Sequence, residues 1–98
     1  MKNSDDCSSM EDIRSEIDRI DRQIIAAFGE RFSYVKAASK FKTSEFSVKA
    51  PQRFEAMLQQ RRAWAEYEGL NPDVIEKLYR DLVSYFIEEE LQQWRSQS

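Results

Sequence analysis

Apolar residues recur along residues 11–42 at the three- and four-residue steps of an amphipathic helix. The stripe consists of Ile13, Ile17, Ile20, Ile24, Phe28, Phe32 and Val35. The segment contains no proline and one glycine, so its composition favours one continuous helix. We predict this first helix over about residues 9–41, with Ser8 and Glu11 in the spacing of a capping box at its start.

A loop separates the first helix from a second one. Residues 43–50 are rich in serine and β-branched residues, which break the helical pattern. Pro51 then suits the first turn of a helix, because proline lacks the N–H that this turn leaves unbonded. Gly69 suits the left-handed residue that commonly follows a helix, so the second helix is predicted over about residues 51–68.

A third helix completes an all-α chain. Asn71 is a preferred N-cap residue and Pro72 a preferred first-turn residue, so this helix is predicted over about residues 72–95. The two shorter helices cannot cover the first along its whole length, and the uncovered part still carries isoleucines. We therefore expect a single domain over residues 1–98 that forms an intertwined homodimer, with one first helix packed on another.

Two charged residues interrupt the apolar stripes. Arg31 follows Ile17 and Ile24 by steps of seven. Glu90 stands four residues after Phe86 in the stripe of the third helix. A charge in such a position normally has a partner, because burying it unpaired costs roughly several kcal/mol. Arg31 either pairs with an acid of the protein, such as Glu90, or binds an anionic ligand.

Two more cations are candidates that also have ordinary structural interpretations. Lys42 stands at the end of the first helix, where a cation commonly complements the helix dipole. Arg14 lies on the flank of the stripe, near the start of the helix, where it could enter a partner's pocket in a dimer. Glu90 belongs to a run of three glutamates that is also typical of a solvated face, and only the helical phase places it inward. Periodicity alone therefore predicts a helical dimer with a candidate anion pocket.

Composition excludes several classes of function. A net charge of −3 without a basic run argues against electrostatic capture of nucleic acid. No apolar run approaches the ~20 residues that span a bilayer. The N-terminus lacks the apolar core of a signal peptide, so we expect a cytoplasmic protein with no membrane partner. One cysteine and no histidine exclude most zinc sites and every Ser-His or Cys-His nucleophile.

Short segments along nearly the whole chain resemble the all-helical chorismate mutase family in their order and spacing. They include Asp12-Ile13-Arg14, residues 17–21, residues 34–42, Ala50-Pro51, Ala56-Met57-Leu58 and Trp64-Ala65-Glu66. Within this family, the chain looks most like the salicylate-forming lyases of bacterial siderophore pathways. The resemblance implies an intertwined dimer of three-helix subunits with two equivalent active sites.

The resemblance also implies which residues bind the substrate, isochorismate or chorismate. Arg31 and Lys42 of one subunit and Arg14 of the other would hold its two carboxylates, and Arg53 would be a further contact. Lys42 would also stabilise the negative charge that develops as the carbon–oxygen bond breaks. Residues 43–50 would close over the pocket. Its apolar lining would come from Val35, Ala38, Met57, Phe86 and Ile87.

Glu90 departs from the pattern of the lyases and of many bacterial mutases, which have glutamine at this position. The glutamine amide can donate a hydrogen bond to the ether oxygen of the substrate, whereas a glutamate can donate only when it is protonated. Some mutases of the same fold resemble this chain in using glutamate. Burial would raise the Glu90 pKa, and Arg31 and Lys42 would lower it. We expect catalysis by Lys42 and Glu90 to be favoured at acidic pH.

Three functions remain open. The first is the pericyclic elimination of pyruvate from isochorismate, which gives salicylate and requires no metal or cofactor, with weak chorismate mutase activity beside it. The second is a dedicated chorismate mutase that makes prephenate. The third is a catalytically silent helical dimer that binds a ligand or regulates a partner, and the glutamate at position 90 keeps this alternative open.

Overall fold

The computed structural model describes the backbone of residues 4–97 and the side chains of residues 5–96. Its elements are α1 (Met10–Ala38), α2 (Glu45–Lys49), α3 (Pro51–Tyr67) and α4 (Pro72–Gln97), with 3-10 helices at Ser4–Asp6 and Ser39–Phe41. Residues 4–97 contain no β-strand, so the predicted all-α class is confirmed. No helix in this part of the chain is long and apolar enough to cross a membrane.

The start of α1 is capped one residue later than the sequence suggested. Ser9 is the N-cap residue, because its Oγ accepts the backbone N–H of Asp12 at 3.1 Å. The Asp12 carboxylate in turn accepts the backbone N–H of Ser8 at 3.1 Å and its hydroxyl at 2.9 Å. In place of the predicted capping box between Ser8 and Glu11, Ser9 caps the helix and Asp12 bonds to Ser8, the residue before the N-cap.

The last turn of the predicted first helix tightens before the chain leaves it. α1 ends at Ala38, and Ser39–Phe41 continue as a 3-10 helix. Lys42 then has an extended backbone, with φ −90° and ψ 138°, while its N–H still bonds to the Ser39 carbonyl at 3.3 Å. Lys42 is therefore the residue at which the helical path ends.

Residues 43–50, predicted as a loop, contain the short helix α2. Ser44 and Ser47 form a capping box in which each hydroxyl accepts the other's backbone N–H at 3.1 Å. Serine is unfavourable inside helices but favourable at such caps, which is why the composition indicated a loop. Ala50 ends α2 in the left-handed region at φ 39°, and Pro51 begins α3 directly after it.

The chain divides into two compact units between Ser33 and Tyr34. In the first unit, α1 has no buried residue and exposes a row of isoleucines. The second unit contains the last turn of α1, the following 3-10 helix, and α2, α3 and α4. A single domain over residues 1–98 stays a prediction.

The second unit has its core between α3 and α4. Met57 and Leu58 of α3 are buried together with Val83 of α4, and partly buried apolar side chains pack around them. These surrounding residues are Phe54, Tyr79 and Ile87. Further along α4, Glu90 and Leu91 are both 4% exposed, so the buried face of the helix continues toward its C-terminal end.

The turn between α3 and α4 confirms the predicted helix ends. Gly69 has φ 77°, which only glycine adopts without strain. The Asn71 side-chain oxygen accepts the backbone N–H of Asp73 at 2.9 Å and so caps α4. Arg62 of α3 binds Asp73 at 2.8 Å and Glu76 at 3.1 Å, which ties the two helices together beside this turn.

Candidate active site

Lys42 and Glu90 lie next to each other in the second unit. The distance from Lys42 Nζ to Glu90 Oε2 is 3.8 Å, within Coulomb attraction but too long for a strong hydrogen bond. The Glu90 side chain is 6% exposed and the Lys42 side chain 24% exposed, so the carboxyl lies deeper than the ammonium. Glu90 Oε2 accepts no hydrogen bond from the described residues. Glu90 therefore faces inward, as its helical phase predicts.

The environment of Glu90 favours its protonated form. Burial raises the pKa of the Glu90 carboxyl above its ordinary value, and the nearby Lys42 ammonium opposes this rise only in part. The sequence did not decide which of these two effects on the Glu90 pKa is larger. In the second unit, burial raises this pKa more than the charge of Lys42 lowers it. When it is protonated, Glu90 can donate a hydrogen bond from its O–H, as a glutamine does from its amide N–H.

Lys42 is held at its backbone and at its side chain. Its Nζ donates to the Ser47 carbonyl oxygen at 2.9 Å, and its own carbonyl oxygen accepts the indole N–H of Trp94 at 2.9 Å. An ammonium has three N–H donors. With one bound to Ser47 and Glu90 near another, at least one donor remains for a bound anion.

The second unit also contains the side chains that were predicted to line the pocket. Val48 of α2, Met57 of α3 and Phe86 of α4 are each at most 4% exposed. Ile87 packs against the core, and Val35 and Ala38 are half-buried on the last turns of α1. The residues predicted as apolar lining therefore all belong to the second unit.

Arg53 lies close to α2 but on the surface. It is the third residue of α3 and is exposed, and with Phe46 and Ser47 it lines a shallow depression. Because the Ser47 carbonyl also holds Lys42 Nζ, Arg53 stands beside the segment that positions Lys42. A role for Arg53 in binding the substrate stays a prediction.

Arg14 and Arg31 both belong to the first unit, on α1. They are 17 residues apart, which corresponds to about 25 Å along the axis of a helix with a rise of 1.5 Å per residue. Two side chains at this separation on one helix cannot hold the same small dicarboxylate. The structure thus brings Lys42 and Glu90 together, with Arg53 nearby, and keeps Arg14 apart from Arg31.

Sequence reasoning missed the polar contacts of Ser47 and Trp94. Trp94 belongs to the predicted third helix and Ser47 to the predicted loop, and both bond to Lys42. The signal available was the spacing of four between Glu90 and Trp94, which places both on one face of a helix. In the part of the chain that the structure describes, no group of three or more histidine, cysteine or acidic side chains could hold a metal ion.

Comparison with known proteins identifies the family. Residues 13–91 match the family model of chorismate mutase type II. The chain belongs to this family. The match covers α1 from Ile13 onward and includes the Lys42–Glu90 pair, so this pair lies inside the family's domain.

Two relatives of this chorismate mutase type II chain differ greatly in length. Isochorismate pyruvate lyase of Pseudomonas aeruginosa is 46% identical to it over 95 residues, covering 97% of this chain and 94% of that protein. The T-protein of Haemophilus influenzae is 41% identical over 73 residues, covering 74% of this chain but only 19% of that protein. The lyase is therefore similar over nearly its whole length, whereas the T-protein is similar over about a fifth of its own.

Proposed function

We propose that this chain is an isochorismate pyruvate lyase, which converts isochorismate to salicylate and pyruvate and has weak chorismate mutase activity beside it. The observation that carries the proposal is the near-full-length similarity to the lyase of P. aeruginosa, at 46% identity. The Lys42–Glu90 pair supports it, because it offers a cation and a buried donor at one place.

The proposed reaction is a pericyclic elimination. The hydrogen on the ring carbon that bears the hydroxyl moves to the methylene carbon of the enolpyruvyl group, while the ether bond to the neighbouring ring carbon breaks. The ring electrons become aromatic in salicylate, and the enolpyruvyl group leaves as pyruvate. No bond to the protein forms, so catalysis consists of holding a reactive conformer and stabilising charge on the ether oxygen.

Lys42 and Glu90 are the proposed catalytic residues. Two donors separated by 3.8 Å can both lie within hydrogen-bond distance of one oxygen atom between them. The Lys42 ammonium and the protonated carboxyl of Glu90 would therefore both donate to the ether oxygen as its negative charge grows. Because the Glu90 side chain is only 6% exposed, its interaction with the ether oxygen would be stronger than in solution.

Arginines are proposed to bind the two carboxylates of the substrate, because the planar guanidinium matches a carboxylate with two hydrogen bonds. Arg31 of the same subunit and Arg14 of the partner subunit would do so, with Arg53 as a peripheral contact. The separation of about 25 Å along α1 supports the supply of Arg14 from a second subunit, since one helix cannot present both arginines to one ligand.

The homodimer that this arrangement requires is supported by the surface of α1. Its isoleucines are between 40% and 62% exposed: Ile13, Ile17, Ile20, Ile24 and Ile25. An apolar row of this length on a helix surface is typical of an association interface. A second copy of the chain would cover it by presenting the same face, as in a twofold-symmetric dimer.

Product analysis tests the proposed function. Purified protein is mixed with isochorismate and, separately, with chorismate, and salicylate and prephenate are followed from about pH 4 to 9. We expect salicylate to form from isochorismate more than about 100-fold faster than prephenate forms from chorismate, as kcat/KM. Formation of prephenate with little salicylate would instead identify a mutase. If neither product forms at any pH, the protein is a binding module.

Glu90→Gln is expected to extend the activity to higher pH. In the unaltered protein, Glu90 donates a hydrogen bond below its raised pKa and loses this ability as the pH rises through that pKa. kcat/KM should therefore fall toward alkaline pH. The glutamine amide donates at every pH, so this fall should disappear in the variant.

The matched control for this substitution is Glu88→Gln, which changes an exposed glutamate two residues away. Its pH profile of kcat/KM should coincide with that of the unaltered protein. If the profile of Glu90→Gln also coincides, Glu90 is not the group that limits activity at high pH.

A further inference from the structure

One face of α4 contacts Lys42 at two points. Glu90 Oε2 lies 3.8 Å from the Lys42 ammonium, and Trp94 Nε1 donates to the Lys42 carbonyl oxygen at 2.9 Å. The two α4 residues are four positions apart, so their side chains lie one above the other on the helix. The carboxyl that faces the ammonium and the N–H that holds the backbone are therefore parts of the same rigid element.

We propose that Trp94 is a positioning residue for Lys42, acting through the hydrogen bond from its indole N–H to the Lys42 carbonyl oxygen. This inference rests on the proposed lyase function, in which the Lys42 ammonium stabilises charge on the ether oxygen. Trp94 touches no reacting atom in this proposal. It fixes the backbone of Lys42, and thereby determines where the ammonium at the end of the flexible side chain lies.

The other contacts of Lys42 come from short segments next to it in sequence. Its backbone N–H reaches the Ser39 carbonyl only at 3.3 Å, and its Nζ is held by Ser47, a residue of the five-residue helix α2. A helix of this length is not stable by itself, so α2 depends on its neighbours. Trp94 thus attaches the backbone of Lys42 to the long helix α4, whereas Ser39 and Ser47 belong to a 3-10 helix and to the short α2.

The ion pair that ties α2 to α4 cannot replace the indole bond. Arg95 donates to Glu45 Oε1 from Nη2 at 2.7 Å and from Nε at 3.1 Å, and Arg95 lowers the pKa of Glu45. Both side chains are at least half-exposed, so water and salt screen the pair and it contributes little. Trp94 is partly buried, and its hydrogen bond is better protected from water.

Trp94→Phe tests the proposal, because it keeps an aromatic ring and removes the N–H donor. With isochorismate as substrate, we expect kcat to fall about 10- to 100-fold, since a misplacement of about 1 Å is enough for such a loss. KM should change less than about threefold, because the carboxylates are still bound by the arginines. The folded fraction and the melting temperature are measured on the same samples.

The pH profile provides a readout that a merely structural role would not move. Lys42 is the charged group that faces the Glu90 carboxyl in the second unit and lowers its pKa. The buried residues of α2 and α3 that pack near α4 are Val48, Met57, Leu58 and Ala65, and none of them is titratable. If the ammonium moves away in Trp94→Phe, the Glu90 pKa rises, and the alkaline fall in kcat/KM moves to higher pH.

Trp64→Phe is the matched control. It makes the same substitution on α3, where Trp64 is 53% exposed and its ring is covered by the guanidinium of Arg61 at 4.6 Å from the ring centroid. We expect its kcat and pH profile to equal those of the unaltered protein. The proposal is overturned if kcat of Trp94→Phe stays within about twofold of the unaltered protein and kcat/KM falls over the same alkaline pH range. A change in the melting temperature does not alter this conclusion.

Two further measurements cover the remaining outcomes. If Trp94→Phe does not fold, benzothienylalanine is incorporated at position 94 in the Trp64→Phe chain, because this analogue keeps the size of the indole and has sulfur in place of the N–H.

If the unaltered protein forms no salicylate, the lyase proposal fails, but the position of Lys42 is still measurable. A carbon-13 NMR titration of the Glu90 carboxyl should then give a higher pKa in Trp94→Phe, and an equal pKa would overturn the positioning role.

Discussion

Lys42→Ala is expected to lower kcat/KM for isochorismate by about 1,000-fold or more, which corresponds to about 4 kcal/mol of transition-state stabilisation. The substitution removes the cation that would face the ether oxygen. It also removes the charge that lowers the Glu90 pKa, so Glu90 becomes protonated over a wider pH range. Loss of protonation at Glu90 therefore cannot be the reason for the fall in activity.

Steady-state kinetics at acidic pH measure this effect where Glu90 is protonated in both proteins. Lys40→Ala is the matched control, because Lys40 is an exposed lysine of the adjacent 3-10 helix. It should leave kcat/KM within about twofold. A loss of less than about tenfold in Lys42→Ala would contradict a catalytic role for the ammonium.

Two inactive variants, Arg14→Ala and Lys42→Ala, should restore activity when they are refolded together. If Arg14 acts in the partner's site, a mixed dimer has one site with both residues intact and one site with neither. With random pairing, half of the dimers are mixed, so about one quarter of the unaltered activity should return. Each variant alone should keep the low activity that results from the loss of its charged side chain.

The control for this experiment combines Arg31→Ala with Lys42→Ala. Arg31 and Lys42 are proposed to act in the same subunit's site, so every site of the mixed dimer lacks one of them and no activity should return. Recovery in this control, or none in the Arg14 mixture, would contradict the proposed sharing of the site. Sedimentation of each mixture verifies that dimers have formed.

Most of the helical framework follows from local chemistry. Pro51, Gly69 and Asn71 indicated the ends of α3 and the start of α4, and the structure places each of them in the expected role. These signals work because they depend on the backbone of the residue itself: a missing N–H, a left-handed φ or a side chain that caps a neighbouring amide. The helical phase likewise identified Glu90 as a buried residue.

Local signals were less reliable where serines and alanine stand in unusual positions. Ser44 and Ser47 cap a short helix that the composition did not reveal, and Ala50 ends it with a positive φ that alanine rarely adopts. A helix of five residues depends on contacts from elsewhere in the chain. Its existence could therefore not be read from residues 43–50 alone.

The sequence by itself determined the all-α class, the three long helices and the inward position of Glu90, because each follows from residue spacing along one helix. Only the tertiary structure decided that Lys42 meets Glu90 and that Trp94 holds the Lys42 carbonyl oxygen. The physical reason is that Lys42 and Trp94 are 52 residues apart, so their contact depends on how α4 packs against the segment around Lys42. The pKa of Glu90 depends on the same packing, which sets both its burial and its distance from the ammonium.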